Sequence, residues 1–146
     1  MSDQGIPREC LFCKVVAKKI PAFVVYEDDS AMAFLDIHPR APGHAMVMPK
    51  YHADRILNLP DQEIGPLFAA VKRAAVMLEK ALSPDGITIG INQGGASGQE
   101  VNHIHVHLMP RFFGDGGGPV QSLVHNAPKE TVEEMAKKIK HLTIDS

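Results

Sequence analysis

The spacing of apolar and polar positions predicts one antiparallel sheet with helices packed on it. Apolar residues recur every three or four positions between Asp61 and Leu82, as on one face of an amphipathic helix. Proline fits the first turn of a helix but not its interior, so Pro66 is expected to delay the regular part until about Gly65. A second helix is predicted from about Pro128 to Leu142, because proline is favoured at the first helical position.

Five short segments have the composition of β-strands. Three of them follow one another before the long helix, separated by turn-forming residues, and two follow it on either side of the polar loop 92–101. The predicted strands cover residues 23–27, 31–36, 45–48, 87–91 and 102–109. The predicted fold class is therefore α+β, with an antiparallel sheet of about five strands, one long helix and a C-terminal helix.

Length and composition predict a single compact domain over residues 1–146. The net charge of -2 and the absence of a basic block argue against a nucleic acid polymer as partner, whereas a small phosphorylated ligand stays possible. No segment approaches the roughly 20 apolar residues of a membrane span, and the first residues do not resemble a signal peptide. A cytoplasmic protein without membrane contact is expected.

Three histidines alternate with apolar residues in the second half of the chain, after the long helix. His103, His105 and His107 would share one face of a strand, and crowding three imidazoles on one face usually reflects function. Metal binding is one possible chemistry, since imidazole is a common zinc ligand. The small residues of the segment 94–99, just upstream, favour the other, because glycine lets backbone amides approach a phosphate.

The histidine run also resembles a known family motif. Residues 103–109 match the pattern His-apolar-His-apolar-His-apolar-apolar of the histidine triad (HIT) family. The similarity covers a core of about residues 10–111, leaving 112–146 as a C-terminal extension and helix. Further segments in family order are Phe34-Leu35-Asp36-Ile37, Pro42-Gly43-His44, Met48-Pro49-Lys50-Tyr51-His52, Asn92, Gly98-Gln99 and Leu108-Met109-Pro110-Arg111.

The resemblance implies a homodimeric enzyme with a HIT-like fold that binds purine nucleotides, that is, AMP-containing small molecules. It implies cleavage at the α-phosphorus through a nucleotidyl-histidine intermediate, with His105 as the nucleophile. Much of a histidine population is unprotonated near neutral pH, so an imidazole can attack directly. By the same resemblance His107 contacts phosphate oxygens or the bridging atom, and His103 supports the other two.

The resemblance also assigns the nucleotide contacts. Asp36 would bind the ribose hydroxyls, with Phe34 and Ile37 beside the base and ribose. Asn92 and the backbone amides of the segment Gly98, Gln99, Glu100 and Val101 would hold the phosphate. Four apolar residues would form a base pocket, although core packing explains them as well: Leu11, Phe12, Val15 and Ile20.

Glu100 departs from the family pattern. It stands where many relatives carry serine or threonine, and a carboxylate beside a phosphate is repulsive unless it is protonated or turned away. Its backbone amide can still donate a hydrogen bond. The rate and the preferred leaving group are therefore left open.

Cys10 and Cys13 have the spacing with which two thiolates reach one tetrahedral zinc. Two free thiols and a redox pair are the alternatives. Resemblance to zinc-containing members of the wider superfamily implies that His52 and His103 complete a closed, structural Cys2His2 zinc site. The remaining histidines are expected to be solvent or packing residues: His38, His44, His125 and His141.

The leading functional hypothesis from this resemblance is an adenosine 5′-phosphoramidase-like hydrolase. A dinucleoside polyphosphate hydrolase or a nucleotidyltransferase shares the chemistry and differs in the leaving group. A nucleotide-binding regulator with little catalysis is the alternative of another class, which Glu100 favours and the intact triad opposes.

Overall fold

The computed structural model describes residues 10–142, so the predicted domain range 1–146 extends beyond it. The chain divides into two compact units between Gly116 and Gly117, and the single domain stays a prediction. The first unit contains α1 (Leu11–Val16), β1 (Val24–Glu27), β2 (Ala31–Leu35), β3 (Ala45–Pro49), α2 (Asp61–Leu82), β4 (Gly86–Gly90) and β5 (Val106–Arg111). The second contains α3 (Val132–Lys140).

The five strands form one antiparallel sheet in the order β1-β2-β3-β5-β4. The predicted α+β class and the meander of the first three strands are confirmed. β5, the last strand in the chain, lies between β3 and β4, and Met46 is opposite His107 in its register. Directly opposed residues point to the same face of a sheet, so His107 shares a face with Met46.

One face of the sheet is covered by α2. Ala31, Ala33 and Ala45 present small side chains to the helix and are fully buried against it. The helix begins at Asp61, so the prediction of a regular start near Gly65 was wrong. Pro66 removes one hydrogen bond near the exposed N-terminus, and that loss is offset by burial of the helix side chains Leu67, Ala70, Val71, Ala74 and Leu78.

The opposite face carries a second apolar cluster beneath α1, a short helix that the sequence pattern did not predict. Alternation along β2 and β3 separates the two faces, because neighbouring strand residues point in opposite directions. The cluster contains Cys10, Phe12, Cys13, Val15, Met32, Phe34, Met46 and Met48. His107 therefore projects toward the α1 side of the sheet.

The second unit begins its helix later than predicted. Thr131 and Glu134 form a reciprocal capping box, which satisfies the first free amides and starts α3 at Val132 rather than at Pro128. No described residue of α3 is buried. Among residues 10–142, no helix has the length and apolar character needed to cross a bilayer.

Candidate functional site

The histidine run lies on the α1 side of the sheet, partly ahead of β5. The prediction of a strand over residues 102–109 was wrong at its start, because Ile104 N–H donates to the Ala53 carbonyl at 2.7 Å instead of to a sheet neighbour. β5 begins only at Val106. The rings nevertheless meet, with the centroids of His105 and His107 at 5.0 Å.

The environment of His105 fixes its tautomer. Its Nδ1 lies 2.7 Å from the carbonyl oxygen of His103, and a carbonyl can only accept a hydrogen bond. In the neutral ring Nδ1 therefore carries the proton and Nε2 carries the lone pair. Phe12 packs edge-on against the ring at a centroid distance of 5.0 Å, and the side chain is buried. The neutral His105 ring is thus held in one tautomer and one orientation, with Nε2 as its hydrogen-bond acceptor.

His44 fixes the tautomer of His107 in the opposite sense. The backbone N–H of Arg40 donates to Nδ1 of His44 at 3.1 Å, so a neutral His44 carries its proton on Nε2. That nitrogen lies 2.9 Å from Nδ1 of His107, which must accept. The proton of neutral His107 is therefore on Nε2, where it can be donated to a ligand.

Burial keeps the rings of His107 and His44 neutral. It lowers the pKa of His107 to about 4, with His105 and His44 adding to the effect and Asp36 opposing it. Burial also lowers the pKa of His44, and the Asp36 carboxylate again opposes this shift. The expectation of a solvent or packing role for His44 missed this contact. The Pro42-Gly43-His44 segment, already noted for its family order, was the signal that pointed to it.

Asp36, His44 and His107 place three potential ligand atoms within 4.8 Å of one another. A cation would need the lone pair of Nε2 of His44, but that nitrogen carries the proton donated to His107. Moving the proton to Nδ1 would oppose the Arg40 N–H. The contacts therefore describe a hydrogen-bond relay rather than a metal centre.

The residues predicted to contact the base and the ribose differ in their exposure to solvent. Asp36 is half-buried at the end of β2, with Oδ1 accepting the His38 N–H at 2.8 Å, and a cavity of 500 Å³ opens beside it and His44. Ile37 is 72% exposed, whereas Phe34 is buried and packs edge-on against Phe12. Of the other apolar candidates, Phe12 and Val15 are buried, Ile20 is half-buried and Leu11 is exposed.

The loop before the histidines is braced by Gln99. Its Oε1 accepts the Gly94 N–H at 2.8 Å, while its Nε2 donates to the carbonyls of Asp54 at 2.6 Å and Val101 at 3.0 Å. Gly94 and Gly98 have φ values of 85° and 93°, in the left-handed region that favours glycine. The side chain of Gln99 is thus engaged within the protein. Its backbone N–H also donates, to the Gly94 carbonyl at 3.3 Å, and the Gly98 N–H donates to the Gly95 carbonyl at 3.0 Å, so neither amide is free for a phosphate in this conformation. Asn92 is half-buried at the start of this loop.

All four predicted metal ligands come together. Sγ of Cys13 lies 3.3 Å from Nδ1 of His52 and 3.5 Å from Nδ1 of His103, and the two nitrogens are 3.2 Å apart. Sγ of Cys10 is 3.5 Å from Nδ1 of His103. Zinc bond lengths in a tetrahedral site correspond to N···S and N···N separations of about 3.5 and 3.4 Å. The donor set and its spacing therefore fit a zinc-type site.

Hydrogen bonding orients the ligand nitrogen of His103. Its Nε2 donates to the Pro49 carbonyl at 2.8 Å, which leaves the lone pair on Nδ1, directed at the cysteines. In the absence of a cation, burial and the neighbouring Cys10 raise the pKa of Cys13 to about 12. A cation among the four groups would favour the thiolate forms instead.

Comparison with known proteins identifies the family of this chain. The HIT domain model matches residues 17–114. The chain belongs to the HIT family. It is 44% identical to a HIT-like protein of Methanocaldococcus jannaschii over 131 residues, which cover 90% of this chain and 98% of that protein. It is 35% identical to the adenosine 5′-monophosphoramidase of Schizosaccharomyces pombe over 135 residues, covering 90% and 98% of the two chains.

Solved structures agree with this HIT assignment. A HIT family protein of Bacillus subtilis superimposes with a TM-score of 0.83 at 32% identity, covering 95% of this chain and 100% of that one. A zinc-bound histidine triad protein of Mycobacterium smegmatis has a TM-score of 0.70 at 31% identity, covering 92% and 98%. The HIT-like fold predicted from the motif is confirmed.

Proposed function

We propose that this HIT protein is a nucleotide hydrolase that acts at the α-phosphorus of purine nucleotides as an adenosine 5′-phosphoramidase-like enzyme. One observation carries the proposal: two adjacent rings have opposite hydrogen-bonding character. Nε2 of His105 offers a lone pair, and Nε2 of His107 offers a proton. The similarity to the S. pombe phosphoramidase favours this activity.

The proposed reaction has two halves. In the first, the lone pair of Nε2 of His105 forms a bond to the α-phosphorus, and the bond from phosphorus to the leaving nitrogen breaks as that nitrogen takes a proton from solvent. In the second, water attacks phosphorus, the N–P electron pair returns to His105, and a proton returns to solvent. The Nε2–H of His107 donates to a phosphoryl oxygen and stabilises the charge that develops on it.

The nucleotide contacts remain those that the family resemblance suggests. Asp36 would accept hydrogen bonds from the ribose hydroxyls, since its Oδ2 is not used by the His38 amide. Ile37 is exposed enough to contact the base, whereas buried Phe34 would support that surface from below. The phosphate would be held by Asn92 and by the amides of Glu100 and Val101. The Gly98 and Gln99 amides, which the resemblance also suggests, would first have to release the Gly95 and Gly94 carbonyls.

We also propose that Cys10, Cys13, His52 and His103 hold one structural zinc ion. Bound zinc would supply a rigid tetrahedral centre and no open position for substrate, because the protein fills all four positions. Fixing the ring of His103 also fixes the segment whose carbonyl accepts the Nδ1–H of His105. The metal site would therefore help to keep the proton of His105 on Nδ1, although no metal ligand would contact the reacting groups.

A homodimer is the assembly that the resemblance implies, and the sheet has an edge that suits one. β4 is a terminal strand of the sheet, and its Ile89 is 46% exposed. Light scattering after gel filtration should give twice the chain mass of 15.9 kDa. A single-chain mass at micromolar concentration would contradict the dimer.

The activity is tested with adenosine 5′-phosphoramidate and a diadenosine polyphosphate as substrates. The wild-type protein should release AMP from the phosphoramidate, and His105→Ala should not. His125→Ala, which changes an exposed histidine of the second unit, is the matched control and should retain full activity. Turnover confined to the diadenosine compound would favour the polyphosphate hydrolase alternative.

Rapid quenching of the wild-type reaction should also trap an adenylyl group on His105, identified by peptide mass spectrometry. Equal turnover by His105→Ala would contradict the nucleophile assignment. AMP binding without turnover of either substrate would indicate a nucleotide-binding regulator.

A further inference from the structure

The proposed zinc site adjoins a cavity on one side. This cavity, of 780 Å³, reaches two of the four donor residues, Cys10 and His52. Cys13 and His103, the other two, are not among the described residues that line it. Cys10 is 8% exposed, whereas Cys13 is 4% and His103 is 0% exposed. A small molecule that enters the cavity therefore meets Cys10 rather than Cys13.

Cys10 and Cys13 are also placed to form a disulfide with each other. Cys10 is the N-cap of α1, and its Sγ accepts the backbone N–H of Cys13 at 3.3 Å. Residues three apart in a helical turn have Cα atoms about 5 Å apart, within the range of about 4.4–6.8 Å that a disulfide spans. The two sulfurs lie within 4.8 Å of one another, and neither is disulfide-bonded. Oxidation would thus join two metal ligands to each other.

A disulfide at this position would remove both sulfur ligands of the zinc. Cysteine binds metal as the thiolate, and a sulfur in a disulfide no longer carries that charge. His52 and His103 would remain, and two imidazoles are only half of the tetrahedral set. Oxidation of the pair would therefore expel zinc, and reduction would restore the site.

We propose that Cys10 is a modification site, at which a peroxide starts the conversion of the zinc site to a disulfide between Cys10 and Cys13. The Cys10 sulfur forms a bond to one oxygen of hydrogen peroxide, the O–O bond breaks, and the departing hydroxide takes a proton from solvent. The Cys13 thiolate then attacks the sulfur of the sulfenic acid. The S–S bond forms, the S–O bond breaks, and the second hydroxide also takes a proton from solvent. Each sulfur loses one electron, and the peroxide gains two. This inference rests on the zinc site proposed above and is independent of the hydrolase reaction.

The charge of the cavity favours an uncharged oxidant. Asp54 and Glu100 line it, and neither lysine nor arginine is among its described lining residues. Asp54 is partly neutralised by Arg55, whose Nε is 3.7 Å from the carboxylate. Glu100 therefore makes the larger contribution to a negative potential in the cavity. An anionic reagent is repelled on its way to Cys10, whereas hydrogen peroxide is not.

The first test treats the zinc-loaded wild-type protein with hydrogen peroxide. A metal-binding dye measures the zinc released, and intact-mass and peptide measurements identify the disulfide. We expect one zinc to be lost for each disulfide formed between Cys10 and Cys13, and dithiothreitol with added zinc should restore the thiols and the metal. Zinc that stays bound while both cysteines remain reduced would overturn this inference alone, as would irreversible oxidation of Cys10 without a disulfide. Absence of zinc from the reduced, purified protein would overturn the zinc site as well.

The second test determines which sulfur reacts first. The folded wild-type protein, verified by circular dichroism, is treated with a limiting amount of iodoacetamide, and peptide mass spectrometry gives the labelling rate of each cysteine. Cys10 should be labelled severalfold faster than Cys13, because only Cys10 lines the cavity. Equal rates, or faster labelling of Cys13, would contradict the assignment of Cys10 as the modified residue.

Glu100→Gln tests whether reagents reach Cys10 through this cavity. The labelling rate of Cys10 is compared for anionic iodoacetate and neutral iodoacetamide. The substitution should raise the ratio of the first rate to the second by about two- to fivefold at low salt, as expected for one partly screened charge. Glu79→Gln, which removes an exposed carboxylate on α2, is the matched control and should leave the ratio unchanged. Equal ratios in the wild type and Glu100→Gln would overturn the role of the cavity.

Discussion

Nε2 of His44 lies 2.9 Å from Nδ1 of His107, and this contact determines which nitrogen of the neutral His107 ring carries the proton. The direction of donation follows from the Arg40 N–H on the far side of the His44 ring. In the proposed reaction His44 is therefore a positioning residue, which would act on the substrate only through His107. Its backbone precedes β3 directly, which ties the relay to the centre of the sheet.

Replacing His44 should impair turnover, because the proton of His107 would no longer be fixed on Nε2. His44→Phe fills the space without donating, and we expect kcat to fall by about 10- to 100-fold, as for other residues that orient a functional group. His44→Gln can still donate through its side-chain amide and should retain more activity. The measurements are kcat and KM for a nucleoside phosphoramidate, with circular dichroism to verify folding. Equal losses in the two variants would argue against a tautomer-fixing role.

The low pKa of His107 predicts acid sensitivity. The folded state holds this group neutral down to about pH 4, whereas the unfolded chain takes up the proton near pH 6.5. Its contribution to stability is therefore complete above pH 6.5 and decreases as the pH falls toward 4. After allowance for partial exposure, roughly 1 kcal/mol of the free energy of unfolding should be lost between pH 6.5 and 5.

Urea unfolding of the wild type and His107→Asn across that interval measures this contribution. The variant should show a shallower dependence on pH, because the asparagine does not titrate. His103, whose pKa burial lowers to about 4, is present in both proteins, so its effect cancels in the comparison. Parallel pH dependences would contradict the prediction.

Zinc should stabilise the first unit and be lost when a cysteine ligand is replaced. Elemental analysis of protein purified without added metal should give one zinc per chain, and Cys10→Ser or Cys13→Ser should reduce it severalfold. Melting temperature should fall in the same variants and on prolonged chelation. Lys14→Ser, a change inside α1 at a residue that is not a metal ligand, is the control. Full zinc content in both cysteine variants would exclude these ligands, and a disulfide in the purified protein would support a redox pair instead.

The sheet and the long helix were predictable because both have regular periodicity. Alternation places Ala31 and Ala33 on one face of β2 and Met32 and Phe34 on the other, and the heptad-like spacing of α2 persists through Pro66. Local periodicity does not show where a segment finds its hydrogen bonds. The hydrogen bond from the Ile104 N–H to the Ala53 carbonyl joins residues far apart in the chain. It keeps the segment before Val106 out of the predicted strand.

The same limit applies to the site. The spacing of Cys10 and Cys13 predicted that both would reach one metal, and resemblance supplied His52 and His103, which the fold brings within contact distance. The role of His44 depends on a proton position set by the Arg40 amide, which no side-chain pattern encodes. Likewise Gln99 looks like a ligand contact in the sequence, whereas its amide group connects the loop to Asp54.

Gly43 connects the stability of the fold to the geometry of the relay. It has a φ of +80°, and a Cβ at this position would overlap Leu82 and approach Leu78 to 3.3 Å. Gly43→Ala should therefore reduce the free energy of unfolding by about 1–3 kcal/mol through backbone strain and overpacking. Because His44 is the next residue, any backbone shift that relieves the overlap also moves its ring relative to His107, and kcat should decrease in the folded variant. Gly86→Ala is the matched control, since a Cβ there meets no atom within 4 Å. Equal unfolding free energies for the two alanine variants, measured in urea, would contradict the prediction.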